Sequence, residues 1–503
     1  MEKLLLGIDI GTSACKVAVF NLQGKVLSQS SKEYRVYYPH SGFVEQNPNE
    51  WWESVCTAIK ETIASSKINP SQIAGIGIDG QSWSAIPIDK KGNVLCNTPI
   101  WMDTRADDIC KETINRIGFD RIFMLSGNSF EPTYSTPKIL WFKKNMPDVY
   151  NSTYKFLQSN SFIAFKLTGQ ISQDLSQGYG IHSFNMKEGK WDDSFCEELG
   201  FDREKLPEIF QCHDVIGEVT GVAAAQTGLV KGTPVVAGGL DASCGTLGAG
   251  VIKVGQTQEQ GGQAGGMSIC LDSAIAHQKL ILSFHVIPEL WLLQGGTVGG
   301  GGAIKWFKQE LGAFEEIEAK AKGSNPFKVM DEEAEKIPVG SDGLIFLPYM
   351  AGERSPLWDK KAKGVFFGLG YNKTRAHIIR AIMEGCAFAL QHNLKTAEEI
   401  GVGTDKLVAM GGAANSRLWT QMKADITGKT INVPTSDTAT TLGAAILAGV
   451  GTGLYKSFDQ AVEDTIVITR THEPDLQAHA RYKHNYEIYL ELYEKLKDTM
   501  QKV

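Results

Sequence analysis

The chain opens on two apolar, β-prone runs, Leu4–Ile10 and Ala14–Phe20, separated by Gly11, Thr12 and Ser13. Short apolar runs bounded by small turn residues predict a β-hairpin. An amphipathic helix is predicted around Glu50–Ser66 and a buried strand over Ile73–Ile78. The pattern then starts again. Val235–Leu240 reads as a strand running into a turn at Asp241, and Gly245–Gly250 as a packing or hinge segment. Gln256–Ile269 repeats strand, glycine turn and strand; laid over the first hairpin, Glu259 takes the place of Asp9, and Gly261 and Gly262 those of Gly11 and Thr12. Two such halves predict two α/β domains of similar plan, residues 1–245 and 246–503. Binding sites favour domain interfaces, and one domain can close on another by a hinge. The last segment, Asp475–Met500, is predicted helical, with Tyr482, Tyr486, Tyr489, Tyr493 and Leu496 on one face. That stripe docks either on its own domain or on a second copy.

A length of 503 residues agrees with two large domains. The composition, 42% hydrophobic and 21% charged, is that of a globular protein. A net charge of −7 argues against a nucleic-acid partner. No stretch approaches the roughly 20 apolar residues of a membrane span, and Asp9 interrupts the early apolar run, so no secretory signal is expected. The nine cysteines are scattered and lack paired spacing. They suggest reduced buried thiols and a cytoplasmic location rather than a zinc site or disulfides.

The hairpin tip carries no bulky side chain, so its backbone N–H groups and hydroxyls can close around an anion. Asp9, two residues before Gly11, is placed to hold a hydrated Mg²⁺ beside it, since Mg²⁺ takes one or two carboxylates plus phosphate oxygens. Four further segments bear chemistry. Trp101–Arg105 offers Asp103 and Arg105 two residues apart, on one face if the segment is a strand. Gly295–Trp306 is a glycine loop entering a helix, Phe346–Pro356 a strand and irregular loop, and Met410–Trp419 a buried strand ending in small residues at a helix start.

This set, in this order, resembles the FGGY carbohydrate kinases from about residue 4 to residue 460, with Gly42–Trp51 and Gly411–Ala448 among the matching segments. The resemblance implies two actin-like (ribonuclease H-like) ATPase domains of α/β class with a ligand cleft between them. The N-terminal domain would bind sugar and carry the first phosphate hairpin, and the C-terminal domain would bind nucleotide. It implies ATP and Mg²⁺ as cofactors, a sugar or polyol substrate and a possible homodimer. Asp241 takes the position of the general base, and Asp9 that of the metal ligand. Gly11, Thr12, Ser13 and Lys16 would meet phosphates, as would Gly261 and Gly262 of the second turn. Gly300, Gly301, Ile304, Gly411, Gly412, Ala413 and Asn415 match the segments that cradle the nucleotide. Gln81, Ser82, Trp83, Asp103 and Arg105 fall at substrate positions; Ser82 and Trp83 replace the Met-His pair of xylulokinases, and Asp103 and Arg105 could instead form a structural ion pair. Glu259 either adds a second carboxylate to the metal or is paired. D-Xylulose is the first expectation for the substrate. Another ketose, glycerol, erythritol or gluconate, or a non-catalytic regulator of the same fold, are the alternatives.

Overall fold

Strand Leu4–Ile10 forms the expected hairpin with Ala14–Phe20, pairing Asp9 with Lys16, and a parallel ladder with Ile73–Gly80 that sets Asp79 beside Asp9. Alternation along a strand sorts its side chains onto two faces. Leu4, Leu6, Ile8 and Ile10 enter a core with Trp51, Val55 and Ile59 of helix Pro48–Ser66. Gly7 and Asp9, with Gly77 and Asp79 on the neighbouring strand, are thereby left to the opposite face.

In this computed structural model, which describes residues 2–66, 68–435 and 438–503 (Ser66 by its backbone alone), the chain divides into two compact units. The first is built from Met1–Ile252, Leu271–Leu292 and Thr438–Ile466, and the second from Lys253–Cys270, Leu293–Asp437 and Val467–Val503. The single division at residue 245 expected from the sequence is therefore replaced by an interleaved one. The reason is helix Ala439–Gly451, which lies on the Gly7/Gly77 face of the first sheet. A Cβ on Gly77 would sit 1.8 Å from the Ala444 carbonyl oxygen, and one on Gly7 2.0 Å from that of Thr441. The same helix meets helix Asp241–Gly248 without intervening side chains: a Cβ on Gly443 would lie 1.9 Å from the Cys244 oxygen.

The first sheet runs Val215–Glu218, Pro234–Val236, Ile73–Gly80, Leu4–Ile10, Ala14–Phe20, Val26–Glu33, with Gly239–Leu240 also pairing Ile73–Gly80. The second repeats the motif. Gln256–Gly261 and Gly265–Leu271 form an antiparallel hairpin, Lys406–Met410 runs parallel beside it, and Thr430–Pro434 and Ile468–His472 follow. Helix Leu476–Met500 docks on its own unit, where Tyr482, Tyr489 and Tyr493 pack with Tyr349 and Phe388. Tyr349 Oη donates to Tyr489 Oη at 2.7 Å, and Tyr482 Oη to Glu384 Oε1 at 2.8 Å. Among the described residues no helix is long and apolar enough to cross a membrane.

Gly77→Ala should destabilise the protein by at least the roughly 1–3 kcal/mol usual for overpacking, because its obstacle is backbone rather than a movable side chain. Gly403→Ala, where nothing lies within 4 Å, is the matched control. Thermal denaturation of the two variants should show a large fall in Tm for the first and little change for the second.

Candidate active site

In the first unit the strand ends bring Asp9, Asp79 and Asp241 together. Asp9 is buried; Thr440 Oγ1 donates to its Oδ2 at 3.4 Å, and Lys16 Nζ stands 3.9 Å from the same oxygen on a largely exposed side chain. Thr440 lies in the first turn of Ala439–Gly451, so the positive end of that helix also faces the carboxylate. Asp79 is fully buried, and neither of its oxygens meets a donor. Burial first, then the charges of Asp9 and Asp241, hold its carboxyl well above the usual range. Asp9 is raised as well, by burial, against the lowering effect of Lys16. Asp241, the first residue of its helix, accepts from the Ala242 N–H at 2.7 Å; burial and then Asp9 push its carboxyl up to about 7.

The turn at Gly11–Ser13 is held from outside. Tyr34 Oη donates to the Gly11 carbonyl, Gln46 Nε2 to the Thr12 carbonyl at 2.7 Å, and Trp101 Nε1 to Thr12 Oγ1 at 2.8 Å. Gln81 is buried and donates to Gln46 Oε1 at 2.8 Å. Ser82 Oγ accepts from Tyr179 Oη at 3.1 Å. Trp83 adopts a left-handed backbone (φ 61°), and its ring stacks on Tyr134 with centroids 4.1 Å apart. The strand expected over Trp101–Arg105 is not formed. Thr98–Pro99 ends it, and a turn bond from Asp103 N–H to the Ile100 carbonyl follows. Asp103 and Arg105 face each other instead of sharing a strand face. Arg105 Nε and Nη2 donate to Asp103 at 2.8–3.0 Å, and Nη2 also to Glu45 at 2.7 Å. The guanidinium lies over the Phe43 ring, 4.0 Å from its centroid. Both side chains are buried in this ion pair.

In the second unit the glycine turn and glycine loop lie back to back. Gly301 N–H donates to the Gly262 carbonyl at 2.8 Å, and a Cβ on Gly300 would fall 2.4 Å from the Ala264 carbonyl carbon. A Cβ on Gly411, at φ 84°, would fall 2.8 Å from the Gly261 carbonyl oxygen. Beside them opens a cavity of about 860 Å³ lined by Gly261, Gly262, Gly301, Ile304, Gly412, Ala413 and Asn415. Gly300 lines a small adjoining void, together with Gly261, Gly301 and Ala413. Glu259 is not left free for a metal: Lys423 Nζ, from helix Arg417–Thr427, donates to its Oε1 at 2.5 Å, with both side chains buried.

Residues 4–248 match the N-terminal domain, and residues 275–452 the C-terminal domain, of the FGGY family of carbohydrate kinases. The chain belongs to that family. A xylulose kinase of Bacillus subtilis (strain 168) is 30% identical over 498 residues, covering 99% of this chain and 98% of its own. The structure of ligand-bound xylulose kinase from Lactobacillus acidophilus is similar at a TM-score of 0.90 and 26% identity, over 99% of each chain. The gluconate kinase structure from Lactobacillus acidophilus gives the same TM-score and identity over 100% of each chain. The protein is thus an ATP-dependent carbohydrate kinase with the two-domain actin-like fold.

Sequence reasoning missed several residues that this FGGY kinase places at the two sites. Asp79 stood in plain view as a carboxylate in an otherwise apolar strand. Asn325, Phe327 and Asp331 line the cavity but belong to no glycine motif, and Arg417, within Met410–Trp419, lines it as well. Burial pushes the Asp331 carboxyl up to about 6. Among the described residues no group of three or more His, Cys, Asp or Glu side chains converges as metal ligands. The protein's offer is then the Asp9–Asp79 pair, which suits a cation whose shell is completed by phosphate oxygens and water. The orphaned oxygens of Asp79 fit such a group.

Lys423→Met should destabilise the second unit by about 3–5 kcal/mol, since it leaves Glu259 buried and uncompensated. Lys423→Met with Glu259→Gln should recover much of that loss. Denaturant titration of the single and double variants checks both.

Proposed function

We propose that this kinase phosphorylates a neutral sugar, D-xylulose first among them, with Asp241 as general base. A sugar hydroxyl has a pKa far above 7, so its proton must be accepted as the γ-phosphoryl group arrives. A partly buried carboxylate whose pKa is raised to about 7 is a better acceptor than a solvated one and is still ionised in an adequate fraction. Gln81, Ser82 and Trp83 would line the acceptor end, braced by the Asp103–Arg105 pair. Gly11, Thr12, Ser13 and Lys16 would meet phosphate oxygens. The second unit would hold the nucleotide against Gly261, Gly262, Gly300, Gly301, Ile304, Gly411, Gly412, Ala413 and Asn415. Asp9, with Asp79 beside it, would hold Mg²⁺, which when bound neutralises charge on the phosphates.

The choice of a neutral acceptor over an aldonate such as gluconate rests on one observation. The acceptor end carries three carboxylates, Asp9, Asp79 and Asp241, which interact electrostatically. Of the cations in this region, Lys16 faces Asp9, Arg105 is held by Asp103 and Glu45, and Lys138 by the carbonyls of Trp83, Ile100 and Thr133. A substrate carboxylate would add a further negative charge beside Asp241.

ADP release should be measured with MgATP and D-xylulose, D-gluconate, glycerol and erythritol in turn. D-Xylulose is expected to give the largest kcat/KM, and turnover of gluconate alone would overturn the electrostatic argument. Asp241→Ala should remove turnover, and equal activity in that variant would displace the base. The base acts ionised, so kcat/KM should fall about tenfold per pH unit below the Asp241 pKa, near pH 7, and level off above it. A pH–rate profile flat from pH 5 to 8 would contradict the assignment.

A further inference from the structure

Beneath the strand ends that carry Gln81 and Asp241 lies a polar network shut off from solvent, and the kinase reading gives its side chains no role. Asp174 is its centre. Asp174 Oδ1 accepts from the Ser176 hydroxyl at 2.6 Å and the Gln177 N–H at 2.9 Å; Oδ2 accepts from Asn160 Nδ2 at 2.9 Å and Gln173 Nε2 at 3.3 Å. Asp174, Ser176, Asn160 and Gln177 are all 0% exposed. A carboxylate in such a place is costly to bury even when its donors are in place.

The groups that the network grips indicate its use. Ser176 Oγ donates to Asp174 and accepts the Leu240 N–H at 2.9 Å. Asn160 Nδ2 also reaches the Ala237 carbonyl at 3.3 Å. These two bonds bracket the last strand residues before Asp241. A Cβ on Gly239 would stand 3.0 Å from Ser176 Oγ, so the fit between the serine and this strand end is close. On the other side, Gln177 Nε2 donates to the carbonyls of Gly80 at 3.1 Å and Gln81 at 3.3 Å, and Ser159 Oγ to Gln81 at 2.8 Å. One buried acid therefore ties down both strand ends, the one before the base and the one before the acceptor-binding residues.

We propose that Asp174, acting through Ser176, is a positioning residue that fixes the Leu240–Asp241 backbone and so directs the Asp241 carboxylate. This rests on Asp241 being the base. Asp174 and Ser176 are both 0% exposed, so neither offers a surface to substrate. Their loss should therefore appear in the chemical step, where small misplacements are magnified, and not in substrate affinity.

The test is Ser176→Ala, which deletes one atom and leaves Leu240 N–H without its acceptor. With MgATP and whichever acceptor of the panel above turns over, kcat should fall about 10- to 100-fold while KM for MgATP and acceptor stays within about twofold. Hydrogen exchange followed by mass spectrometry should show the Leu240 amide exchanging about tenfold faster, with exchange in the second unit unchanged. A kcat within about twofold of the parent overturns the proposal, whatever the Tm does, and so does a loss confined to KM. Ser176→Cys, which keeps the volume and weakens both bonds, serves if the alanine variant does not fold. Asp241→Asn is run alongside. If it stays active, the base reading fails; if it is silent while Ser176→Ala is normal, only the positioning role fails. Should no acceptor in the panel turn over, unchanged exchange at Leu240 is by itself enough to overturn the inference.

Discussion

Backbone-to-backbone contact between helix Ala439–Gly451, the first two parallel strands and helix Asp241–Gly248 is the constraint on which the first unit depends. Gly7, Gly77, Gly248 and Gly443 each sit where a methyl group would strike a carbonyl. That closeness does more than fill space. It brings the positive end of one helix to Asp9 and starts a second helix at Asp241, at the point where the strand alternation delivers Asp9 and Asp79. Bulkier residues at these positions would push the helices outward and draw the carboxylates apart.

The carboxylates themselves are held at a cost. Three acids share a small region, and the pKa of each is raised, chiefly by burial. An arrangement of this kind lowers the stability of the unliganded protein above the ordinary carboxylate pKa values, because ionisation is opposed in the folded state and not in the unfolded one. On the proposed function, a bound cation would relieve that strain. Three buried acids elsewhere are treated differently: Glu259 receives Lys423, Asp103 receives Arg105, and Asp174 receives four hydrogen-bond donors. Asp79 of the first-unit cluster has no donor on either oxygen, and that contrast is what makes the cluster the candidate for chemistry.

Much of this was legible in the sequence where a local pattern carries the chemistry. The two hairpins, the strand before Asp241, the glycine loop at Gly300 and the strand ending at Met410 all announce themselves through apolar runs broken by small residues. What remained hidden was set by partners distant in sequence. Trp101–Arg105 has an alternation that suits a strand, yet Pro99 ends the ladder and the side chains turn to each other. Glu259 occupies the position of Asp9 in its hairpin, but Lys423 comes from a helix more than 160 residues on. Nothing around Asp174 signals that it will reach Leu240, and Trp83 gave no local sign that its ring would stack on Tyr134.

The interleaved first unit has a consequence for how the protein is made. Thr440 reaches Asp9 across 431 positions of chain, so the helix that closes the first sheet is made long after the strands it covers. Domains usually complete themselves in the order in which they leave the ribosome. Here the half that begins first must wait, its glycine-lined face uncovered, until nearly all of the other half has emerged. The nascent chain therefore carries the uncovered Gly7/Gly77 face until helix Ala439–Gly451 has emerged, and the contact between Thr440 and Asp9 forms only then.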